Sequence, residues 1–278
     1  MSTAAAESEH IPVPPEYRSR RHPGAMHIEW LSAWEMQGRR RSMEDRQLVI
    51  ENVGGNSALT LLALFDGHGG KTAAVVAEAR FADVFARHYH HVDAEPTAAE
   101  FELSITATFT ELHEQIIEQC RMSGCTALVA LVMPTRILIA NLGDSRAAAL
   151  YTDTKAILQL TVDHNTNNLQ EVEAVRRRGH FVAFDRVDGR LAITRALGDA
   201  DLAAALSRTP DVVEVPRENM KYLLLSCDGL WESMIDSHAA AQLTDDSATI
   251  HQLAENLTNE AFACGSYDNI SLMLAKMN

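Results

Sequence analysis

Acidic residues stand where apolar runs end. "LTLLALF" runs into Asp66 and Gly67, "ILIANLG" into Asp144, "YLLLSC" into Asp228 and Gly229, and Asp268 with Asn269 immediately precedes "ISLMLAKM". Aspartate is a poor strand residue, and glycine beside it lets a backbone carbonyl or a ligand come close. One such aspartate reads as a turn or helix-cap residue; four at strand ends read as the wall of an acidic cleft. Carboxylates held together repel, which raises their pKa values unless a cation compensates. Oxygen donors without imidazole or thiolate suit magnesium or manganese rather than zinc or copper.

Two further stretches add chemistry. In "GRRRSMEDRQ", residues 38–47, Glu44 and Asp45 follow three arginines, and the planar guanidinium fork matches a phosphate dianion as well as a carboxylate. His68 lies two residues beyond Asp66, and an imidazole titrating near neutrality can protonate a departing alkoxide. The "DGHGGK" stretch lacks the GxxxxGK[ST] spacing of a nucleotide-phosphate loop, and its acid would repel phosphate without a metal.

The elements that must position these groups follow from apolar periodicity. Strands are expected near 27–36, 46–52, 58–65, 125–133, 136–142, 146–151, 211–215, 221–226 and 270–277, several short and β-branched or Leu-rich. Phe101, Ile105, Phe109, Leu112 and Ile116 recur at steps of three and four, which makes 97–120 a helix with one apolar stripe. Other helices are expected near 70–90, 167–178 and 247–263, with Gly179 and Gly265 past the ends of the last two. Pro134 and Thr135 mark a tight turn between adjacent antiparallel strands. Pattern alone supports a mixed α and β domain with much antiparallel pairing.

Composition narrows the class. Of 278 residues, 46% are hydrophobic and 22% charged, the mix of a globular protein, and no apolar run approaches the roughly 20 residues of a membrane helix. With 24 basic and 38 acidic residues the formal charge is −14, which argues against nucleic-acid binding; RSRR (18–21) and VRRRG (175–179) read as solvated charge. Cys120, Cys125, Cys227 and Cys264 form no CxxC pair, so they read as reduced thiols of a cytoplasmic or nuclear protein, without zinc. Residues 1–26 read as a flexible arm lacking a secretion signal, and 27–278 as one catalytic domain.

In order along the chain stand RRSMED, FDGHGG, SGCTA, NLGDSR, TVDH, RVDGRLAITRALGD, PDV, LLLSCDGLWE and SYDNISLML. This series, from about residue 27 to 277, resembles the metal-dependent protein serine/threonine phosphatases of type 2C. The resemblance implies an α+β fold: a four-layer αββα sandwich of two packed antiparallel sheets flanked by helices, with metals in a channel at one edge.

It further implies that Asp66 bridges two Mg2+ or Mn2+ ions, with the Gly67 carbonyl in one shell and Asp228 and Asp268 on the other ion. Glu44 and Asp45 match acids that hold metal-bound waters, Arg40 the phosphate-binding arginine and His68 the proton donor. Asp144 and Asp199 match further acids, Asp144 being tied to a weaker third metal site. The implied reaction is hydrolysis of phosphoserine and phosphothreonine in phosphoproteins by a hydroxide bridging the ions, carried out by a monomer without nucleic-acid or membrane partners.

Departures are local. The family's Asp-His-Lys-Pro reads Asp163-His164-Asn165-Thr166 here, Glu232 stands where an aspartate of the third site is usual, and the stretch from Asp199 to Pro210 is short. That stretch belongs to a flap beside the channel in the family, so substrate choice is expected to differ. The competing reading, a catalytically silent phosphatase-like binding protein, is disfavoured by the intact acids.

Overall fold

The computed structural model describes residues 20–22, 25, 28–90, 95–154, 156–244 and 247–277. The first strands are β1 (Arg20–Arg21), β2 (Leu31–Met36), β3 (Arg46–Glu51), β4 (Thr60–Phe65) and β5 (Gly67–His68), followed by helices α1 (Thr72–His88) and α2 (Ala98–Gln119). Next come β6 (Gly124–Cys125), β7 (Ala127–Val132), β8 (Arg136–Leu142), β9 (Arg146–Tyr151), β10 (Ile157–Gln159) and α3 (Leu169–Arg177). Three short pieces, β11 (Val182–Ala183), β12 (Arg186–Val187) and β13 (Leu197–Gly198), lead to β14 (Asp211–Pro216) and β15 (Met220–Ser226). The chain closes with α4 (Asp228–Trp231), α5 (Asp236–Leu243), α6 (Ile250–Ala263) and β16 (Ile270–Lys276).

Two antiparallel sheets form, one ordered β1-β2-β16-β15-β9-β10 and the other β14-β8-β7-β4-β3. Side chains alternate across a strand, so β4 sends Leu61, Ala63 and Phe65 toward α1 and α2, where Phe81 and Phe109 pack. Leu62 points the other way and meets Leu223, Leu225 and Met273 of the facing sheet. The far side of that sheet, with Leu224, Leu272 and Leu274, is covered by Leu253, Leu257 and Phe262 of α6. Both faces of the central strands β4, β7, β8, β15 and β16 are thus buried, which is why these strands read as apolar runs. The result is the expected four-layer αββα sandwich.

Local chemistry sets the helix ends. Thr97 accepts from the Glu100 N–H while the Glu100 carboxylate takes the Thr97 N–H, and Thr249 with Gln252 repeats this capping box on α6. Three expectations need correcting. The folded body begins before residue 27, because β1 pairs with β2 and Ala25 is buried; residues 1–19 of the expected arm lie outside the described residues. The run 125–133 is split at Thr126, which leaves the strand to serve Asp66. The helices α4 and α5 follow Asp228 without an apolar stripe long enough to announce them.

This topology brings the acids together. Asp66 ends β4 and Asp45 precedes β3 in one sheet, while Asp228 follows β15 and Asp268 precedes β16 in the other. Asp144 sits in the connection from β8 to β9, where the chain passes between sheets. Close packing of backbone allows the approach: a Cβ on Gly229 would lie 2.0 Å from the Asn269 carbonyl oxygen. Gly229→Ala is therefore expected to cost about 2–3 kcal/mol of stability, measured by chemical denaturation.

Candidate active site

A cleft of about 550 Å³ opens at this edge, lined by Glu44, Asp66, Asp144, Asp228, Glu232 and Asp268. The Asp66 backbone is fixed on both sides: its N–H donates to Thr126 Oγ1 at 3.1 Å and its carbonyl accepts from the Thr126 N–H at 2.9 Å. Thr126 Oγ1 is itself paired with Ser145 Oγ at 2.7 Å. Glu44 accepts from Ser42 Oγ at 2.7 Å and from the Gly70 N–H at 3.1 Å. Asp45 lies beneath the cleft floor, 1% exposed.

Electrostatically the cluster is overloaded. Burial, then Asp45, Asp228, Asp144 and Asp268, push the Asp66 carboxyl well above the usual range. Burial followed by Asp144, Asp268, Glu232 and Asp45 does the same to Asp228. Asp45 and Asp144 are each raised to about 6, burial being the largest cause, and Glu232 is raised by burial and then Asp268. Two buried carboxylate oxygens, Asp45 Oδ2 and Asp228 Oδ1, have no hydrogen-bond partner among the described residues. A buried unpaired acceptor costs about 1–3 kcal/mol, so these atoms call for a cation. An all-oxygen set of several carboxylates fits hard divalent ions.

Of the three arginines in RRRS, the structure separates the roles. Arg39 donates to the Phe262 carbonyl at 3.2 Å and to that of Ser266, and its guanidinium lies 3.9 Å from the Phe262 ring centroid. It is a strut. Arg40 Nη2 pairs with Asp268 Oδ2 at the mouth of the cleft, with the Arg40 side chain 57% exposed. Asn269 holds this loop in place, accepting from the Glu44 N–H at 2.8 Å and donating to the carbonyls of Gln37 at 2.7 Å and Ser42 at 3.0 Å. The sequence marks Asn269 only as the neighbour of Asp268.

His68 lies on β5 with Nε2 2.7 Å from Asp199 Oδ2. Asp199, expected among the supporting acids, is the partner of His68 in the structure. Gly124 makes the pairing possible, since a Cβ there would lie 2.0 Å from Asp199 Oδ2 and 2.5 Å from His68 Nε2. Behind it, His113 Nδ1 accepts from the Gly198 N–H at 3.2 Å.

Burial lowers His113 to about 4, so the folded protein refuses a proton that the unfolded chain accepts. Its stability contribution is complete above the unfolded value near 6.5 and is lost as pH falls toward about 4. The titration of His113 by itself is expected to cost about 1–3 kcal/mol across that window, an effect of opposite sign to that of the raised cleft acids Asp45 and Asp144. His113→Asn, which keeps an acceptor without a titrating ring, should remove this contribution from the profile of melting temperature against pH.

Sequence reasoning missed the opposite wall. The hairpin β11–β12 and the loop after it put Arg186, Leu191 and Ile193 on the cleft. This segment has its own small core of Val175, Val187, Ile193, Leu202 and Leu206, and is pinned by Arg195, which bonds Glu171 Oε1 at 2.6 Å and Asp211 Oδ1 at 2.7 Å. The departure at Asp163 and His164 is absorbed structurally. Asp163 binds Arg146 at 2.8 Å, and buried His164 accepts from the Gly143 N–H at 3.2 Å through Nδ1 while its Nε2 lies 3.0 Å from Asp211.

Comparison with known proteins agrees with this geometry. The family model described as protein phosphatase 2C matches residues 31–270. Protein phosphatase 1L of Bos taurus is 29% identical over 259 residues, covering 88% of this chain and 72% of its own. Probable protein phosphatase 2C 62 of Oryza sativa subsp. japonica is 33% identical over 244 residues, covering 84% and 81%. A solved structure of a C. elegans sex determining protein superposes with a TM-score of 0.80 at 24% identity over 89% of this chain. The chain spans 64% of that protein's length, and the likeness speaks to the fold.

Proposed function

The chain belongs to the protein phosphatase 2C family of metal-dependent protein serine/threonine phosphatases, and from that premise we propose which of its residues do the work. Asp66, Asp228 and Asp268, with Asp45 behind them and the Gly67 carbonyl beside them, would hold two Mg2+ or Mn2+ ions. Glu44 supports the near side, and Asp144 with Glu232 shapes a weaker third position. When bound, the ions supply positive charge against the phosphoryl oxygens and acidify water. The observation that carries this reading is the pair of buried, unpartnered oxygens on Asp45 and Asp228 inside a crowded acidic cleft.

The remaining residues handle substrate and protons. Arg40, held at the mouth by Asp268, presents a guanidinium fork to the phosphate, whose charge spreads over its equatorial oxygens during transfer. Arg186 faces the same space from the opposite wall. His68 Nε2 is held by Asp199, and its Nδ1 has no hydrogen bond among the described residues, so Nδ1 is the atom that delivers a proton to the leaving serine or threonine oxygen. Asp199 fixes the orientation of the ring. No side chain is needed as a nucleophile: Cys227 is buried, and its thiol donates to the Asn269 carbonyl at 3.4 Å.

The substrates are phosphoproteins. A monomer is the proposed working unit, and the charge of −14 disfavours nucleic acid as a partner. Among the described residues no helix is long and apolar enough to cross a membrane. All four cysteines are free, which supports a reducing location, cytoplasmic and nuclear. Purified protein with manganese is expected to release phosphate from phosphoserine and phosphothreonine peptides. Metal binding without turnover on any of several such peptides would favour the silent binding protein instead.

A further inference from the structure

Outside the residues that line the cleft, α5 and the C-terminal end of α6 bring three different donors together. Glu260 on α6 and Cys264, the residue that caps its C-terminus, are four residues apart, and the Cys264 N–H still donates to the Glu260 carbonyl at 2.8 Å, so they share a face; His238 reaches them from α5. The Glu260 Oε1 atom lies 3.3 Å from His238 Nε2 and 3.7 Å from Cys264 Sγ, and the three donor atoms all lie within 4.8 Å of one another. Tetrahedral zinc with ordinary bond lengths separates a nitrogen and an oxygen ligand by about 3.4 Å, and a sulfur and an oxygen ligand by about 3.6 Å. The two edges that meet at Glu260 Oε1 match such a polyhedron, and the third, from His238 to Cys264, is within 4.8 Å.

We propose that His238, Glu260 and Cys264 form a second metal site, chemically distinct from the catalytic cleft, for a zinc-class divalent ion. The donor set carries the assignment. One imidazole, one carboxylate and one thiolate suit zinc or cobalt and discriminate against magnesium, which prefers oxygen alone. His238 and Cys264 are exposed, so the fourth position opens to solvent and the ion can enter without unfolding. Occupancy replaces the Cys264 thiol proton, which leaves to solvent, by the ion; burial and then Glu260 raise that thiol's pKa, so binding tightens as pH rises.

The site also has leverage on the fold. Its ligands clamp the segment that leaves Asp228 through α4 and α5 to the end of α6, four residues before Asp268. The absence of a CxxC pair hid it in the sequence, because the three donors come from two helices and only their packing makes a cluster.

Cobalt provides the test, since a cysteine thiolate bound to Co2+ gives a near-ultraviolet charge-transfer band that oxygen ligands do not. Titration of the whole protein with Co2+ is expected to produce this band, and added Zn2+ to remove it. Cys264→Ser should abolish it and His238→Ala should weaken cobalt binding by about tenfold or more, while Cys120→Ser and Asp228→Asn leave it intact. The substitutions at residues 238 and 264 are at exposed positions, so folding is preserved. A band that survives Cys264→Ser, or no band from the unsubstituted protein, overturns the proposal.

Discussion

Asp228→Asn is expected to abolish turnover and, in metal-stripped protein, to raise the melting temperature. The two effects share one cause. Asp228 is buried against Asp144, Asp268, Glu232 and Asp45, with one oxygen unpaired, so without a cation its charge works against the fold. The amide keeps the volume and removes the repulsion, while a metal ligand is lost; activity with manganese should fall by about a thousandfold or more. A protein of this size gains about 2–4 °C in melting temperature for each kcal/mol relieved.

The cleft acids should contribute stability to the metal-free protein as pH falls, against the opposite contribution of His113, so the slope is read in a His113→Asn background. Asp45 and Asp144 titrate at about 6 in the folded chain, whereas an unfolded aspartate releases its proton near about 3.9. The folded state therefore binds more protons between those values, and its stability falls as pH rises through the window. Saturating manganese should suppress or reverse that slope. Melting curves with chelator and with metal, at several pH values, measure both effects; destabilisation by Asp228→Asn in chelator would contradict the account.

His68→Ala is expected to lower kcat on a phosphothreonine peptide by about a hundredfold, the usual worth of a positioned general acid. An alkoxide leaves poorly without a proton, whereas the nitrophenolate of p-nitrophenyl phosphate leaves unaided, so turnover of that ester should change little. Metal binding should be unaffected, since His68 is held by Asp199 rather than by the acidic cluster. Asp199→Ala, which removes the contact that orients the ring, should lower kcat on the phosphothreonine peptide in the same direction as His68→Ala while leaving p-nitrophenyl phosphate turnover little changed. Equal losses on both substrates in His68→Ala would remove His68 as the proton donor.

These residues differ in how plainly the sequence displays them. Asp66, Asp228 and Asp268 are legible because an acid at the end of an apolar strand has few structural uses, and the α2 stripe from Phe101 to Ile116 is legible because its period is 3.6. Asp199 is less legible. Its partner His68 lies 131 positions away, and only the missing side chain of Gly124 lets the two meet. Arg39 and Arg40 look alike in sequence, yet one faces Phe262 and the other Asp268; which way each points depends on the α6 terminus packed behind them. The β11–β12 hairpin hides for another reason. Its turn places Phe184 and Asp185 at φ of 54°, where glycine or asparagine is the usual signal, so neither the turn nor Arg186 on the cleft wall is announced.

The central claim is that the acidic cleft is a metal centre whose occupancy creates the activity. Counting bound manganese and released phosphate in the same samples, for the unsubstituted chain and for Asp66→Asn, tests it most directly. The account predicts no phosphate release in chelator, turnover that rises with manganese bound to the unsubstituted protein, and loss of both bound manganese and turnover in Asp66→Asn. Turnover in chelator, or an Asp66→Asn protein that binds manganese and works as before, would contradict it.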